Sequence, residues 1–283
     1  MTIPIISDLK AARAGVLRRA ALDEDPTVMQ VVEATIQAVR QHGDAALHDL
    51  TLRFDGVDLQ RFEVPRERWE AATQSLAPDL LNALHVAVNE LERFHRRQVR
   101  NSWVDFNVEG ALGQLVVPIE RVGVYVPGGA APLPSSLLHA AVPARVAGVG
   151  EIVVCAPPQR ASGEPDAVIL AAAYVAGVQR LFALGGAQAI AAMAYGTETV
   201  PKVDKIVGPG NRYVILAKKA VFGTVGIESL PGPTETLVIA DAQAEPRYVA
   251  ADLLAQAEHY EASAILLTPS TELAAAVQAE VAR

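Results

Sequence analysis

RVGVYVPGGAAPLPSS, Arg121 to Ser136, runs from an apolar β-rich stretch through a Pro-Gly-Gly turn into a segment that reads as helical. A strand that passes through glycine into a helix is the first half of a crossover unit, and the rhythm repeats downstream. EIVVCA starts at 151, RLFALG at 180 and DKIVG at 204, with Ala-rich helical stretches between them. The first three strand starts lie about 30 residues apart, the length of a strand–helix–strand crossover. Such alternation predicts a parallel sheet covered on both faces by helices. The pattern resumes with TLVIAD at 236, the helical ADLLAQAEHY (Ala251 to Tyr260) and AILLT at 264. A last predicted helix, Thr271 to Arg283, stops without cap or glycine and reads as a cut rather than a finish.

Upstream the signal is helical. Asp25-Pro26 can open a helix with proline in its first turn. Val28, Val31, Val32, Thr35, Ile36 and Val39 recur at helical spacing, and Gly43 ends that segment. A second helix is expected from about Pro65 to Arg97, with Leu80, Leu81, Leu84, Val88, Leu91 and Phe94 on its buried side.

The chain has 283 residues, enough for a sizeable core in one large domain or two. At 51% hydrophobic and 20% charged it has the balance of a soluble α/β protein and not of a disordered one. A net charge of −8 argues against nucleic acid or anionic lipid as partners. The basic run HRRQVR, His95 to Arg100, ends a predicted helix, where positive charge suits the helix dipole. A single cysteine, Cys155, rules out an internal disulfide and fits a reducing compartment. The start of the chain lacks a signal-peptide pattern, and the longest uncharged apolar run, Ala167 to Val178, is too short to span a bilayer. A cytoplasmic location is expected.

Ligands of parallel α/β sheets bind beyond the carboxyl ends of the strands. Three glycine-bearing loops follow predicted strands and feed helices: PGGAAPLPSS (Pro127 to Ser136), GGAQAIAA (Gly185 to Ala192) and GPGNRYV (Gly208 to Val214). Together they would bring unpaired backbone N–H groups and positive dipole ends to one edge, which suits a pyrophosphate. Each carries a polar residue, Ser135, Gln188 and Asn211. The G-x-G-x-x-G fingerprint is absent, so the residues alone leave the cofactor unnamed, and tight turns remain an alternative. Gln256 and His259, with Asp252 one turn earlier, fall within about 60° of one another on a helix. An amide oxygen and an imidazole could contribute to a zinc site, although surface residues are the commoner reading of such a pair. Cys155 reads as a small core residue, and His42, His48, His85, His95 and His139 receive no role.

Read together, the segments resemble the histidinol dehydrogenase family over most of the chain. RVGVYVPGGAAPLPSSLLHAAVPARVAGV, GGAQAIAAMAYGTETVPKVDKIVGPGNRYV, FGTVGIESLPGPTETLVIAD and AADLLAQAEH follow the family pattern in order and spacing. The resemblance implies two Rossmann-like parallel-sheet domains: residues 1–118 as a helical segment and the start of a first α/β domain, 119–232 as an inserted nucleotide-binding domain, and 233–283 as the return into the first, which is discontinuous and incomplete. It implies two successive NAD-dependent oxidations of L-histidinol to L-histidine through the aldehyde, with zinc and a homodimeric assembly. Tyr125, Gln188 and Asn211 would contact NAD. Thr234, Gln256 and His259 would contact substrate, and Gln256 and His259 would ligate zinc. Position 234 is threonine where many relatives carry serine, and Tyr260 stands where aspartate is common. Family chains are about half as long again, and their acid–base Glu–His pair and remaining zinc ligands belong to the part beyond Arg283, so this length of chain is expected to have little activity. A related zinc alcohol dehydrogenase and an inactive nucleotide-binding module are the alternatives.

Overall fold

The computed structural model describes residues 3–16, 26–128, 132–230, 235–257 and 263–283. The chain divides into two compact units, residues 25–230 and residues 1–24 with 231–283. In chain order the elements are α1 (Leu9–Ala14), α2 (Pro26–Phe54), α3 (Arg66–Ser75), α4 (Pro78–His95), β1 (Trp103–Asn107), β2 (Gly110–Gln114), β3 (Arg121–Tyr125), α5 (Pro134–Val146), β4 (Glu151–Ala156) and α6 (Ala167–Ala176). They continue with β5 (Arg180–Ala183), α7 (Gly186–Tyr195), β6 (Lys205–Val207), α8 (Arg212–Val221), β7 (Gly226–Ile227), β8 (Glu235–Ile239), α9 (Pro246–Ala257), β9 (Ser263–Leu267) and α10 (Thr271–Val281).

The larger unit is built on a parallel sheet of order β5-β4-β3-β6-β7. Its β-branched strands are buried on both faces: Val122 and Val124 of β3, and Ile152 to Ala156 of β4, are all nearly inaccessible. Helices α7 and α8 pack together under α2, whereas α5 and α6 pack together under α3 and α4. The outer edge of β5 is closed by the segment around Glu63, through Val64 N–H to Leu181 O and Ala183 N–H to Phe62 O. Covering an edge in this way removes a site for unwanted strand pairing.

Two departures from the sequence pattern have local causes. The expected helix from Pro65 to Arg97 is two helices, α3 and α4, broken at Leu76–Ala77. Pro78 keeps the preceding residue out of helical backbone and starts the next helix itself. Of the expected buried stripe, Leu84 and Val88 are buried, while Leu80 and Phe94 are exposed. Gly43 does interrupt its helix, with φ 52° and ψ −129°, but the chain re-enters the helix at once and runs on to Phe54. A carboxylate oxygen of Glu198 accepts a hydrogen bond from Asp44 N–H at 2.7 Å, capping the second half. The antiparallel hairpin β1–β2, absent from the sequence reading, turns on Asn107, whose Oδ1 accepts from the N–H groups of Glu109 and Gly110.

The smaller unit holds the parallel pair β8–β9, with Thr236 opposite Ala264. Val249, Ala250 and Leu253 of α9 and Leu273 and Val277 of α10 form its core against Val238, Ala264 and Leu266. Among the described residues no helix is long and apolar enough to cross a membrane.

Candidate functional site

Strand order in the large sheet reverses after β5. The chain moves outward from β3 to β4 and β5, then returns to place β6 on the other side of β3. Ligand sites in open α/β sheets lie at such a reversal, outside the carboxyl ends of the strands. A cavity of about 790 Å³ opens there, lined by the segments that leave β3, β4 and β5 and by the start of α8. Its size falls within the usual range for small-molecule sites.

Three of the sequence-predicted residues converge on it. Tyr125 at the end of β3, Gln188 in the first turn of α7 and Asn211 at the N-cap of α8 line the one cavity. Asn211 caps α8, its Oδ1 accepting from Tyr213 N–H at 3.1 Å and Val214 N–H at 3.2 Å. The cap uses the amide oxygen and leaves the Nδ2 hydrogens as donors. Gln188 is buried on α7, and its Nε2 donates to Asp55 Oδ2 at 3.3 Å. Tyr125 is buried, and its hydroxyl accepts from Gly186 N–H at 3.0 Å, so one donor at the start of α7 is already engaged. Burial raises the Tyr125 phenol well above the ordinary tyrosine value and keeps it neutral.

Ser135 does not join them; it lines a separate apolar groove of about 1000 Å³ along α5. Thr234, His259 and Tyr260 lie outside the described residues. Gln256, on α9 of the smaller unit, is half-buried and its Oε1 accepts from Thr236 Oγ1 at 3.0 Å. Of the strip beside it, Val249 and Leu253 are buried, whereas Ala257 and Asp252 are exposed. Cys155 is a buried free thiol, held protonated by burial, as expected of a core residue.

The site also contains residues that the sequence did not single out. Asp55, just past the end of α2, and Arg160, in the loop after β4, line the same cavity. Burial pushes the Asp55 carboxyl up to about 6, against the opposing effects of the Gln188 hydrogen bond and the nearby Arg160 charge. Perturbed carboxyls in clefts are candidates for functional groups. The GPGN loop is held from beneath by Lys218, which is fully buried. Its Nζ donates to Gly208 O at 3.0 Å and to both Glu228 oxygens at 2.6 and 2.7 Å, and Glu228 Oε1 accepts from Gly208 N–H at 2.8 Å. This ion pair, buried on its lysine side only, fixes the loop that presents Asn211. Gly208 has φ +117°, and a Cβ there would lie 2.0 Å from Tyr125 O. Only glycine lets β6 leave the sheet so close to β3. The basic stretch after α4 is solvent-facing, with Arg96 and Arg145 both paired to Glu92.

Fold and cavity together define a doubly wound α/β protein with an open cavity at the carboxyl edge of its sheet. The family model described as histidinol dehydrogenase matches residues 17–283. The histidinol dehydrogenase of Thermus thermophilus is 53% identical over 266 residues, covering 94% of this chain and 63% of the relative. That of Deinococcus radiodurans is 55% identical over 255 residues, covering 90% of this chain and 58% of the relative. The crystal structure of histidinol dehydrogenase from Elizabethkingia anophelis superposes with a TM-score of 0.85 at 36% identity, over 96% of this chain and 63% of that one. The chain belongs to the histidinol dehydrogenase family. It spans about 60% of the length of the relatives it matches.

Proposed function

We propose that these 283 residues are the nucleotide-binding part of an NAD-dependent oxidoreductase of histidine biosynthesis, which oxidises L-histidinol to L-histidine through the aldehyde. The observation that carries the reading is the convergence of Tyr125, Gln188 and Asn211, from β3, α7 and the cap of α8, on one cavity at the strand-order reversal. The cavity fits a dinucleotide in chemistry as well as size. Arg53 and Arg160 line it and offer positive charge to a pyrophosphate, with the start of α8 adding the positive end of a helix dipole. The Asn211 amide supplies directional donors, and the proline-rich walls supply apolar surface.

When bound, NAD would accept hydride from the alcohol carbon and, in a second round, from the hydrate of the aldehyde, in which water has supplied the second carboxylate oxygen. The chain's own contribution is to hold the nucleotide in place, which is positioning rather than proton transfer. Gln256 and His259 are our proposed zinc ligands and, with Thr234, our proposed substrate contacts. Among the described residues no group of three His, Cys, Asp or Glu side chains could hold a metal, and Gln256 alone does not make a site. No step is therefore assigned to zinc. We expect the 283 residues by themselves to turn over L-histidinol very slowly, and the whole protein to act as a homodimer in the cytoplasm.

Titration calorimetry with NAD tests the reading. Saturable one-to-one binding is expected, weakened at least tenfold in Asn211→Asp. That variant keeps the α8 cap but exchanges the amide donors for a charge that repels phosphate. No binding at millimolar NAD would sink the proposal, as would an unaltered affinity in the variant.

A further inference from the structure

Asp55 lies outside every glycine loop, yet it occupies a defined place at the rim. A Cβ built on Gly185 would lie 3.2 Å from Asp55 Oδ1 and 2.9 Å from Pro157 Cβ. The carboxylate, the loop after β5 and the end of β4 thus meet at one spot. In doubly wound dinucleotide sites a carboxylate at the end of the second strand accepts hydrogen bonds from a ribose. Here the chain leaving that strand reads Ala156-Pro157-Pro158-Gln159-Arg160 and carries none close to its end. Asp166, farther along the same connection, lines the cavity, but its two oxygens already accept from Val168 N–H at 2.9 Å and Gln159 Nε2 at 2.6 Å. Asp55 reaches the corresponding rim from the helical layer.

We propose that Asp55 is the acceptor for the vicinal hydroxyls of one ribose of the bound dinucleotide, a binding contact supplied from outside the sheet. The inference rests on the nucleotide reading of the same cavity.

Three observations favour a ligand over an internal structural partner. Among the described residues the one side chain that donates to the carboxylate is Gln188, at a long 3.3 Å. Arg160, whose charge acts on this carboxyl, donates instead to the main-chain oxygen of Asp55 at 3.2 Å, and no ion pair among the described residues involves this carboxylate. Asp55 is half-buried and lines the cavity, so the residue borders the space a ligand would fill. A carboxylate removed from water with so little compensation is costly, and burial indeed raises its proton affinity. A vicinal diol offers two hydroxyl donors to the two carboxylate oxygens, and such charge-assisted bonds are short and strong.

The test is a cycle between protein and ligand, measured by calorimetry on the 283-residue chain. NAD and two analogues, each lacking the 2′-hydroxyl of one ribose, are titrated into wild type, Asp55→Ala and Asp55→Asn. In wild type one of the analogues should bind about tenfold more weakly than NAD. In both variants NAD itself should weaken about tenfold, and the penalty for that missing hydroxyl should disappear. An NAD affinity within twofold of wild type in both variants overturns the proposal, as does a deoxy penalty that persists in them. Near-ultraviolet circular dichroism identifies a variant that has lost its fold, and the isosteric Asp55→Asn then decides. Failure of wild type to bind NAD would overturn the nucleotide reading itself, whereas binding that ignores Asp55 overturns this inference alone.

Discussion

The two parallel sheets grow from the same strand–helix alternation but bury their strands very differently. In β4 every residue from Ile152 to Ala156 is buried, with helices on both faces of the sheet. In β8 burial alternates: Thr236 and Val238 are half-buried, while Leu237 is 52% exposed and Ile239 is 74% exposed. Parallel strands ordinarily have both faces covered. The larger unit therefore meets the requirements of its fold within residues 25–230, and its cavity is framed by backbone under strong constraint. The smaller unit covers one face of its sheet, with a core of Val249, Ala250, Leu253, Leu273 and Val277. Burial is densest in the sheet whose edge carries the proposed nucleotide site.

The most severe way to break that contrast is Gly208→Ala. The added Cβ would meet Tyr125 O at 2.0 Å in a backbone conformation that L-residues avoid. A loss of about 4 kcal/mol is expected, read as a lowered denaturation midpoint of the larger unit together with lost NAD binding. Gly223→Ala is the control: φ is +99° there, but no atom lies within 4 Å of the added Cβ. It should cost about 1 kcal/mol. Equal effects at the two positions would refute the claim that close approach, and not φ alone, dictates glycine at 208.

A somewhat smaller effect should come from Leu253→Ala, a cavity in the minor core. Leu253 is 3% exposed, and its truncation should cost about 3 kcal/mol. Native-state hydrogen exchange should then accelerate in β8, β9 and α10 while the β3 and β4 amides stay protected. Uniform acceleration across both units would show that they unfold as one and would erase the comparison.

How much of this contrast was legible beforehand follows from the range of the signals. The runs Val122–Val126 and Ile152–Ala156, each ending at Pro or Gly, announced central strands because periodicity and turn chemistry are local. The pairing of Gln188 with Asp55 spans 133 residues and left no local trace. Asp55 stands just past the end of α2, where the Asp55 and Gly56 N–H groups both donate to Thr51 O. Gln188 and Asn211 stand out as polar residues of the glycine loops, whereas Tyr125 and the assignment of all three to NAD come from family resemblance. The β1–β2 hairpin escaped because its Trp103, Val104, Phe106 and Leu112 are all exposed, and strand recognition relies on one buried face. Pro78 was visible, but apolar residues on both sides of it continued a helical stripe.

Asp55 sharpens the comparison through pH. Its carboxyl rises from 3.8 to about 6 on folding, so the native state holds a proton that the unfolded chain has released between those values. The larger unit should therefore lose stability as pH climbs from about 4 to about 6 and then level off, the reverse of a salt-bridged carboxylate. Discounted for partial exposure, the loss amounts to about 1–2 kcal/mol. Asp55→Asn should recover it above pH 6 and give nothing near pH 4, by urea titration at both values. A gain equal at the two pH values would assign the effect to something other than ionisation.

The smallest expected change concerns the residue that holds Asp55 in place. Thr51 is fully buried on α2, and its carbonyl oxygen accepts from Asp55 N–H at 2.9 Å and Gly56 N–H at 3.1 Å, which ends the helix and aims the carboxylate. Its side-chain Oγ1, by contrast, has no hydrogen-bond partner among the described residues. The backbone of Thr51 serves the site, while its hydroxyl costs desolvation without compensation. Valine has nearly the same shape, keeps the carbonyl and removes the orphaned hydroxyl. Thr51→Val should stabilise the larger unit by about 1 kcal/mol and leave NAD affinity unchanged. Lost stability would mean that the hydroxyl has a partner, such as a buried water. A changed affinity would mean that the packing beneath Asp55, and not the turn alone, sets the position of its carboxylate.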